Sequence, residues 1–294
     1  MRTVTVGALN IVMPAPHNAE RYVELFRAAY RTKRIIKIRG QFAGILGSFR
    51  VSSSEDFYYG ELFKFFDLKI SGKWLNVNEQ APAEENELLE LNVPEHLKPG
   101  LEAFPFIFHP KSHKIFFISQ ESNEHLGPMD AGRYFRALLN QPRLSEKFGE
   151  ITVTVIPDAD TLDKILNLPD LRRLHIEISP PNPDDLEELE QEIKERLNEQ
   201  KAAKMLTILV AEKGKSLAPD EQTKLLSQVA QTNGYVEARG ATETGKVETF
   251  STKSHPLKDP VQYDPNVETV LTALFGAAER YYARVRRQNG ARRG

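Results

Sequence analysis

The chain has 294 residues, a formal net charge of −2 at pH 7, 40% hydrophobic residues and 27% charged residues, a composition typical of one large globular domain or two ordinary ones. It contains no cysteine, which excludes disulfides, thiolate metal sites and cysteine nucleophiles. The first residues alternate between apolar and polar, and no stretch approaches about eighteen consecutive apolar residues, so we expect neither a signal peptide nor a membrane span. We therefore expect a cytoplasmic protein.

The first half of the chain has the pattern of a sheet with a helix packed on it. Residues 3–13 alternate as a strand, and prolines then separate this strand from a helix at about 19–31. One face of that helix carries Tyr22, Leu25, Phe26 and Ala29. Further strands are predicted at 34–51 and 58–70, followed by a hairpin at 103–119 and a helix from Gly127-Pro128 to about Asn140.

The pattern changes at about residues 141–149, where Gln-Pro and Gly149 mark a boundary, and strands then alternate with helices. The predicted strands are 151–156, 172–179, 205–212, 235–240 and 247–251, and the predicted helices are 159–166, 183–200 and 219–231. This order indicates an open α/β layer with helices on one face. We therefore predict an α+β fold of two mixed α/β lobes: an N-terminal α+β domain at 1–147, a C-terminal α/β domain at 148–262, and a long basic C-terminal helix and tail at 263–294.

The last predicted helix, at about 267–288, is amphipathic. Its apolar stripe consists of Val267, Val270, Leu271, Leu274, Phe275, Ala278, Tyr281 and Val285. We expect this stripe to dock on a domain of the chain or on a second copy.

Six arginines and no acid occupy the last fifteen residues. Helical spacing places Arg280, Arg284 and Arg287 on one side with Arg286 beside them, while Arg292 and Arg293 follow in the tail. The planar guanidinium matches phosphate oxygens, which favours a polyanion such as nucleic acid as partner. Cations at a helix C-terminus are also stabilised by the helix dipole, so a purely structural role stays open.

A second basic group comprises Arg31, Lys33, Arg34, Lys37 and Arg39. Lys33, Lys37 and Arg39 alternate with two isoleucines, which predicts three cations on one face of a strand. Such a row suits a phosphate track, although exposed sheet faces are often simply charged. The predicted helix at 183–200 carries eight acids and should face away from any bound nucleic acid.

Signatures of enzymes are weak. The chain lacks a phosphate loop, a His-Glu-x-x-His motif, a nucleophile elbow and a dinucleotide fingerprint, so we predict no enzyme activity and no cofactor. His109 and His113 flank a turn and lack an evident third ligand, so we predict no metal site there. Glu61, Asp67 and Lys69 are the nearest approach to the carboxylates and lysine of a metal-dependent nuclease.

Several short motifs together resemble a known family. Phe-Pro-Phe-Ile-Phe at 104–108, Ile-Phe-Phe at 115–117 and Gly-Pro at 127–128 before an amphipathic helix resemble the middle of the RexA-type phage-exclusion proteins. Leu-His-Ile-Glu-Ile at 174–178, the hairpin at 235–250, Ser-Thr-Lys-Ser-His-Pro-Leu at 251–257 and a tyrosine-containing last helix resemble their C-terminal half in the same order. The resemblance spans most of residues 100–288, and the chain is also similar to a related bacterial family of uncharacterised domains.

This resemblance implies an intracellular sensor of phage superinfection exclusion. Such a protein acts as a homodimer, binds double-stranded DNA without marked sequence preference, and works with a multi-span membrane effector. The family offers no catalytic motif, and its DNA contacts are not a fixed signature, so charge placement alone supplies the candidate residues. We predict that Arg280, Arg284, Arg286 and Arg287 contact the DNA backbone, with Lys33, Lys37 and Arg39 as secondary candidates. Two alternatives stay open: a metal-dependent defence nuclease, and a protein or membrane-surface interaction module.

Overall fold

A computed structural model describes residues 1–16, 18–53, 56–68, 74–90, 94–181 and 188–291, without the side chains of 88–90, 159, 188 and 284–291. These ranges contain fifteen strands and eight α-helices, which confirms the predicted α+β class and the long C-terminal helix. The strands are β1 Arg2–Val12, β2 Ile36–Arg39, β3 Phe42–Val51, β4 Tyr58–Phe66, β5 Leu75–Asn76, β6 Ala81–Pro82, β7 Glu102–His109, β8 Lys114–Glu121, β9 Glu124–His125, β10 Thr152–Val155, β11 Asp170–Ile178, β12 Met205–Val210, β13 Gly234–Ala241, β14 Val247–Ser251 and β15 Asp259–Tyr263. The helices are α1 Ala19–Arg31, α2 Glu85–Glu90, α3 Pro128–Leu139, α4 Pro142–Phe148, α5 Ala159–Leu166, α6 Glu188–Glu199, α7 Glu221–Asn233 and α8 Val270–Ala291.

A large antiparallel sheet contains nine of these strands. Its main order is β10-β1-β8-β7-β4-β3-β2, with β15 also paired to β1 and β9 paired to β8. The N-terminal strand β1 is long enough to pair with three partners, because β15 follows its first half and β10 its second half on the same side. Val4 lies opposite Val261, and Leu9 lies opposite Val155. Two segments from distant parts of the chain therefore complete the sheet beside β1.

This pairing corrects the predicted division of the chain. The boundary between residues 147 and 148 does not separate the sheets, since β10 and β15 both hydrogen-bond to β1. The last helix α8 also packs on the large sheet. The small sheet contains only strands from 170 to 251, so it is an insertion between two strands of the large sheet.

The large sheet buries apolar side chains on both faces. On one face, α1, α3 and α4 cover a core that includes Leu9 and Ile11 of β1, and all four predicted core residues of α1 are buried there. On the other face, α8 covers a core that includes Val4, Val6 and Ala8 of β1. The alternation of β1 side chains between two cores explains why residues 6–12 of this strand are all buried.

Helix α8 docks through most of its predicted stripe. Leu274 and Ala278 are fully buried, and Tyr281 packs at the edge of the same core. Val267 is an exception, because it lies before the helix and is 82% exposed. The Thr269 hydroxyl accepts a hydrogen bond from the Thr272 amide at 3.2 Å, so Thr269 caps the helix. No α-helix in the described ranges is long and apolar enough to cross a membrane.

The small sheet has the order β12-β11-β13-β14, and all its pairs are antiparallel. Helices α5, α6 and α7 supply buried side chains to a core on one face, which agrees with the predicted layer of helices. The Asn10 side chain of β1 donates to the Thr232 carbonyl at 3.1 Å, which joins this layer to the large sheet beside β1 and β10.

Candidate nucleic-acid interface

Five cations form a continuous basic group at the free edge of the large sheet. We call this group the basic edge, and its members are Arg31, Lys33, Arg34, Lys37 and Arg39. Arg31 ends α1, Lys33 and Arg34 form the turn, and the other two lie on the terminal strand β2. All five side chains are exposed. The nine residues from 31 to 39 contain no acid.

The predicted row of three cations on one strand face is wrong in detail. Lys33 lies before the strand, in a turn where its φ is +48° and its amide donates to the Tyr30 carbonyl at 3.2 Å. A bulge between Lys37 and Arg39 shifts the register of the pairing between β2 and β3. Lys37 and Arg39 are exposed and alternate with two buried isoleucines, as predicted. The five cations nevertheless surround the end of the strand instead of following one face.

The charges of the basic edge lie close together in the sequence and have no acidic partner among the described residues. Within the described ranges, none of its five members forms an ion pair with an acid. Lysines elsewhere commonly do: Lys98 lies 2.9 Å from Asp67, and Lys111 lies 3.1 Å from Asp56. Uncompensated cations that cluster on an exposed edge produce a local positive potential despite the negative net charge of the chain.

The packing beneath β2 holds the basic edge in place. Ile36 and Ile38 enter the core under α1 and α3, so Lys37 between them points to the opposite face. On the core side, the Arg133 guanidinium of α3 donates to the Ile38 carbonyl at 2.9 Å and also pairs with Asp130. This arrangement ties the edge strand to a helix as well as to β3.

The second predicted basic group begins on α8. Arg280 is exposed, and its guanidinium lies beside Gly276 one turn earlier. Its helix is anchored by Tyr282, whose hydroxyl is hydrogen-bonded to Ser112 in the turn between β7 and β8. Arg284, Arg286 and Arg287 lie within the bounds of α8, but their side chains are outside the described part of the chain, and Arg292 and Arg293 are outside it altogether.

The structure does not bring the two basic groups together. Lys37 is aligned with Ala43 and, through it, with Phe65 near the end of β4. The α8 residue Phe275 instead contacts Phe57, just before the start of β4. Eight residues of extended chain separate these two positions, which corresponds to about 26 Å. One protomer therefore offers two separate basic regions.

The acidic helix α6 belongs to the small sheet and not to the large sheet that carries the basic edge. It packs on the small sheet, through Ile193 and Leu197, and that sheet contacts the large sheet near β1 and β10. The strand β2 is six strand positions away from β10 along the sheet, and helix α3 contacts both strands, through Arg133 to Ile38 and Arg136 to Val153. Residues 183–187 of the predicted acidic helix are outside the described part.

The residues proposed for a nuclease do not converge. Glu61 and Asp67 are six residues apart along the extended strand β4 and its end, which corresponds to about 20 Å, whereas one metal ion needs its ligands within a few ångströms. Asp67 is also paired with Lys98. Lys69 is outside the described residues. The described part contains no group of three histidines or acids placed to hold a metal ion.

The two histidines of the turn also separate. The His109 ring contacts Phe57 and Tyr282, on the face of the sheet that α8 covers. The His113 ring is stacked on Tyr22 of α1, on the opposite face, with 4.1 Å between the ring centroids. They cannot chelate one ion across the hairpin. Sequence reasoning missed that this turn contacts both helices, because neither contact is local.

These features define an α+β protein with two main sheets, a basic free edge on the larger sheet and an arginine-bearing helix docked on that sheet. Residues 2–279 match the model of a family described as a domain of unknown function, DUF4747. The match covers nearly the whole chain, and the chain belongs to that family. A comparison with curated proteins gives no match.

Proposed function

We propose that this chain binds double-stranded DNA through the phosphate backbone, with the basic edge as the principal contact. The observation that carries the proposal is the cluster of five exposed cations without a described acidic partner. Lysine and arginine bind phosphate oxygens by charge and hydrogen bonding, and such contacts position a protein on duplex DNA without reading its sequence. Arg280 and the arginines that follow it on α8 are the secondary contact.

The spacing of the two basic regions is compatible with one duplex. Their separation of about 26 Å corresponds to about eight base pairs, since base pairs rise by about 3.4 Å along the axis. Phosphates recur along the whole duplex, so two basic regions do not need to touch each other to bind one molecule. The dimer implied by the resemblance would double the number of contacts.

A competing explanation for the basic edge is protection against aggregation. Lysines and bulges on an edge strand prevent pairing with other sheets, and β2 has both. The two explanations differ in what removal of the cations does. Loss of protection promotes self-association, whereas loss of a phosphate contact weakens DNA binding.

The decisive experiment is a fluorescence anisotropy titration of a labelled 25-base-pair duplex. The test variant carries Lys33→Ala, Lys37→Ala and Arg39→Ala. The matched control carries alanine at three exposed lysines of the other lobe, Lys201, Lys213 and Lys215, and therefore changes the net charge equally. We expect the test variant to bind roughly ten-fold more weakly or worse, and the control to bind within about two-fold of the natural chain. Equal affinities of the two variants would contradict the proposal.

The same titration with anionic vesicles separates DNA binding from a membrane-surface role. Both ligands attract exposed cations. Binding to vesicles of phosphatidylglycerol without binding to the duplex would replace the DNA proposal with the membrane-surface alternative. Duplex binding that does not change when vesicles are added as competitor would support the DNA proposal.

From the resemblance to RexA-type proteins, we further propose a cytoplasmic role in phage exclusion, with a multi-span membrane protein as effector. The test is infection of cells that carry the chain and its adjacent genes by a superinfecting phage. We expect infection to cause a loss of membrane potential, measured with a voltage-sensitive dye. We expect no such loss in cells that carry the basic-edge variant. Unchanged depolarisation in that variant would separate exclusion from DNA binding.

A further inference from the structure

The edge strand β12 of the small sheet is apolar on its exposed face. Leu206, Ile208 and Val210 are 58%, 48% and 69% exposed, while the alternate residues Met205 and Leu209 pack on the helices behind the sheet. Large aliphatic side chains of this exposure cost free energy in water, since apolar surface is unfavourably hydrated. Three of them in a row on a regular strand indicate a surface that becomes covered.

The strand β12 also lacks the features that protect the other free edges. The strand β2 carries Lys37, Arg39 and a bulge, and the opposite edge of the small sheet, β14, carries Glu248. The six residues of β12 include no charge, no proline and no glycine. A regular apolar edge without such features is a template for pairing with another strand.

The main-chain groups of β12 point in the direction that such pairing needs. The Ala211 amide donates to the Arg172 carbonyl of the neighbouring strand β11 at 2.8 Å. In an antiparallel ladder, hydrogen-bonded positions alternate, so residues 205, 207 and 209 face β11 and residues 206, 208 and 210 face the open edge. The residues with exposed aliphatic side chains are therefore the ones with outward amides and carbonyls.

From this geometry we infer that β12 pairs with β12 of a second copy, antiparallel and centred on Ile208. In this register Ile208 lies opposite its own copy, and Leu206 lies opposite Val210 of the second copy. The three outward residues of each strand then exchange about six main-chain hydrogen bonds. The small sheets of two copies join into one continuous sheet, and the interface is the same patch on both copies.

Charge complementarity selects the second copy as the occupant. The same register places Lys204 opposite Glu212 of the second copy, at both ends of the apolar pairs. Lys204 and Glu212 are exposed, and each lies four residues from Ile208. Side chains an even number of residues apart project from the same face of a strand, so these two lie on the face of Ile208. Lys204 is now paired with Glu177 of β11 at 2.7 Å and Glu212 with Lys215, so in the dimer Lys204 and Glu212 exchange these exposed partners for each other. If the pairing were centred on residue 207 instead, Lys204 would lie opposite Val210 of the second copy.

The test is the mass of the full chain in solution, by sedimentation velocity across a concentration series. We expect a dimer, and expect Ile208→Lys to raise the dissociation constant at least roughly ten-fold, because a cation then faces its own copy. The matched control, Val247→Lys, places the same charge on an exposed aliphatic of the opposite edge and should leave the dimer unchanged. A monomeric natural chain, a dimer that survives Ile208→Lys, or equal disruption by Val247→Lys would overturn the inference.

A charge exchange tests the register itself. Lys204→Glu or Glu212→Lys alone opposes like charges at both ends, and we expect each to weaken the dimer. The double exchange restores opposite charges and should restore association; failure to do so would exclude this register. Hydrogen exchange gives a second readout, since amides 206, 208 and 210 should be protected only in the dimer. The inference adds an interface to the proposed function but does not depend on DNA binding, because none of these measurements contains DNA.

Discussion

The hydroxyls of Ser112 and Tyr282 are hydrogen-bonded to each other, although the two residues are 170 positions apart in the chain. Ser112 lies in the turn between β7 and β8, and its hydroxyl also bonds Nδ1 of His109 at 2.6 Å. Tyr282 lies on α8, and its ring packs against His109 and Phe116. This contact fixes the end of the docked part of α8, directly before the arginines that follow.

We predict that Tyr282→Phe lowers the free energy of unfolding by about 1 kcal/mol, and that Ser112→Ala lowers it by more, since the serine hydroxyl also bonds His109. The two losses should not add fully, because both variants break the hydrogen bond between Ser112 and Tyr282. Chemical denaturation of the two single variants and the double variant measures this coupling. Fully additive losses would mean that the two hydroxyls act separately.

We predict that Tyr134→Phe leaves the protein as stable as the natural chain or more stable. Tyr134 is fully buried on α3, and its hydroxyl has no hydrogen-bond partner among the described residues. A buried hydroxyl without a partner costs free energy, and the variant keeps the ring that fills the core. Thermal unfolding measures the change, and a loss above about 1 kcal/mol would show that the hydroxyl does have a partner.

The same residue predicts a dependence of stability on alkaline pH. Burial raises the pKa of the Tyr134 hydroxyl well above its usual range. Above about pH 10 the unfolded chain loses this proton while the folded chain keeps it, so the free energy of unfolding should fall as pH rises. The Phe variant should show a shallower fall between about pH 10 and 11. Identical slopes in denaturation experiments at those pH values would contradict the assignment.

DNA binding should weaken steeply with salt. If each protomer neutralises about five phosphates through the basic edge, log affinity should fall against log salt with a slope of roughly −4 to −5, and twice that when both copies of a dimer engage. The variant with alanine at positions 33, 37 and 39 should have a slope smaller by about three. Affinity that does not respond to salt would exclude a phosphate-based contact.

The two basic regions should contribute independently. Replacing Arg280, Arg284 and Arg287 by alanine should weaken binding to all duplex sequences alike, because phosphate contacts do not read bases. Since the regions are separated by about 26 Å along the sheet, the free-energy effects of this triple variant and of the basic-edge variant should add. Affinity measurements on the combined variant test this. Unchanged binding after the α8 substitutions would assign those arginines to the helix terminus or to solubility.

The sequence alone predicted much of the local structure of this protein, although not the strand β15 or the helix α4. Side-chain periodicity gave the helix face of Tyr22, Leu25, Phe26 and Ala29, and it gave the alternation of strands and helices between residues 170 and 251. The order of the predicted elements indicated the α+β class, and the positions of the cations indicated both basic groups. These features depend on residues a few positions apart, so a linear pattern contains them.

Only the tertiary structure decided which of these elements share a sheet and which charges lack partners. The pairing of β1 with β10 and β15 joins residues that are 140 or more positions apart, and no local pattern encodes such a choice. The ion pairs Lys98–Asp67 and Lys111–Asp56 likewise form only on folding. The basic edge stands out for the same reason: its charge was visible in the sequence, but its lack of acidic neighbours depends on where the rest of the chain folds.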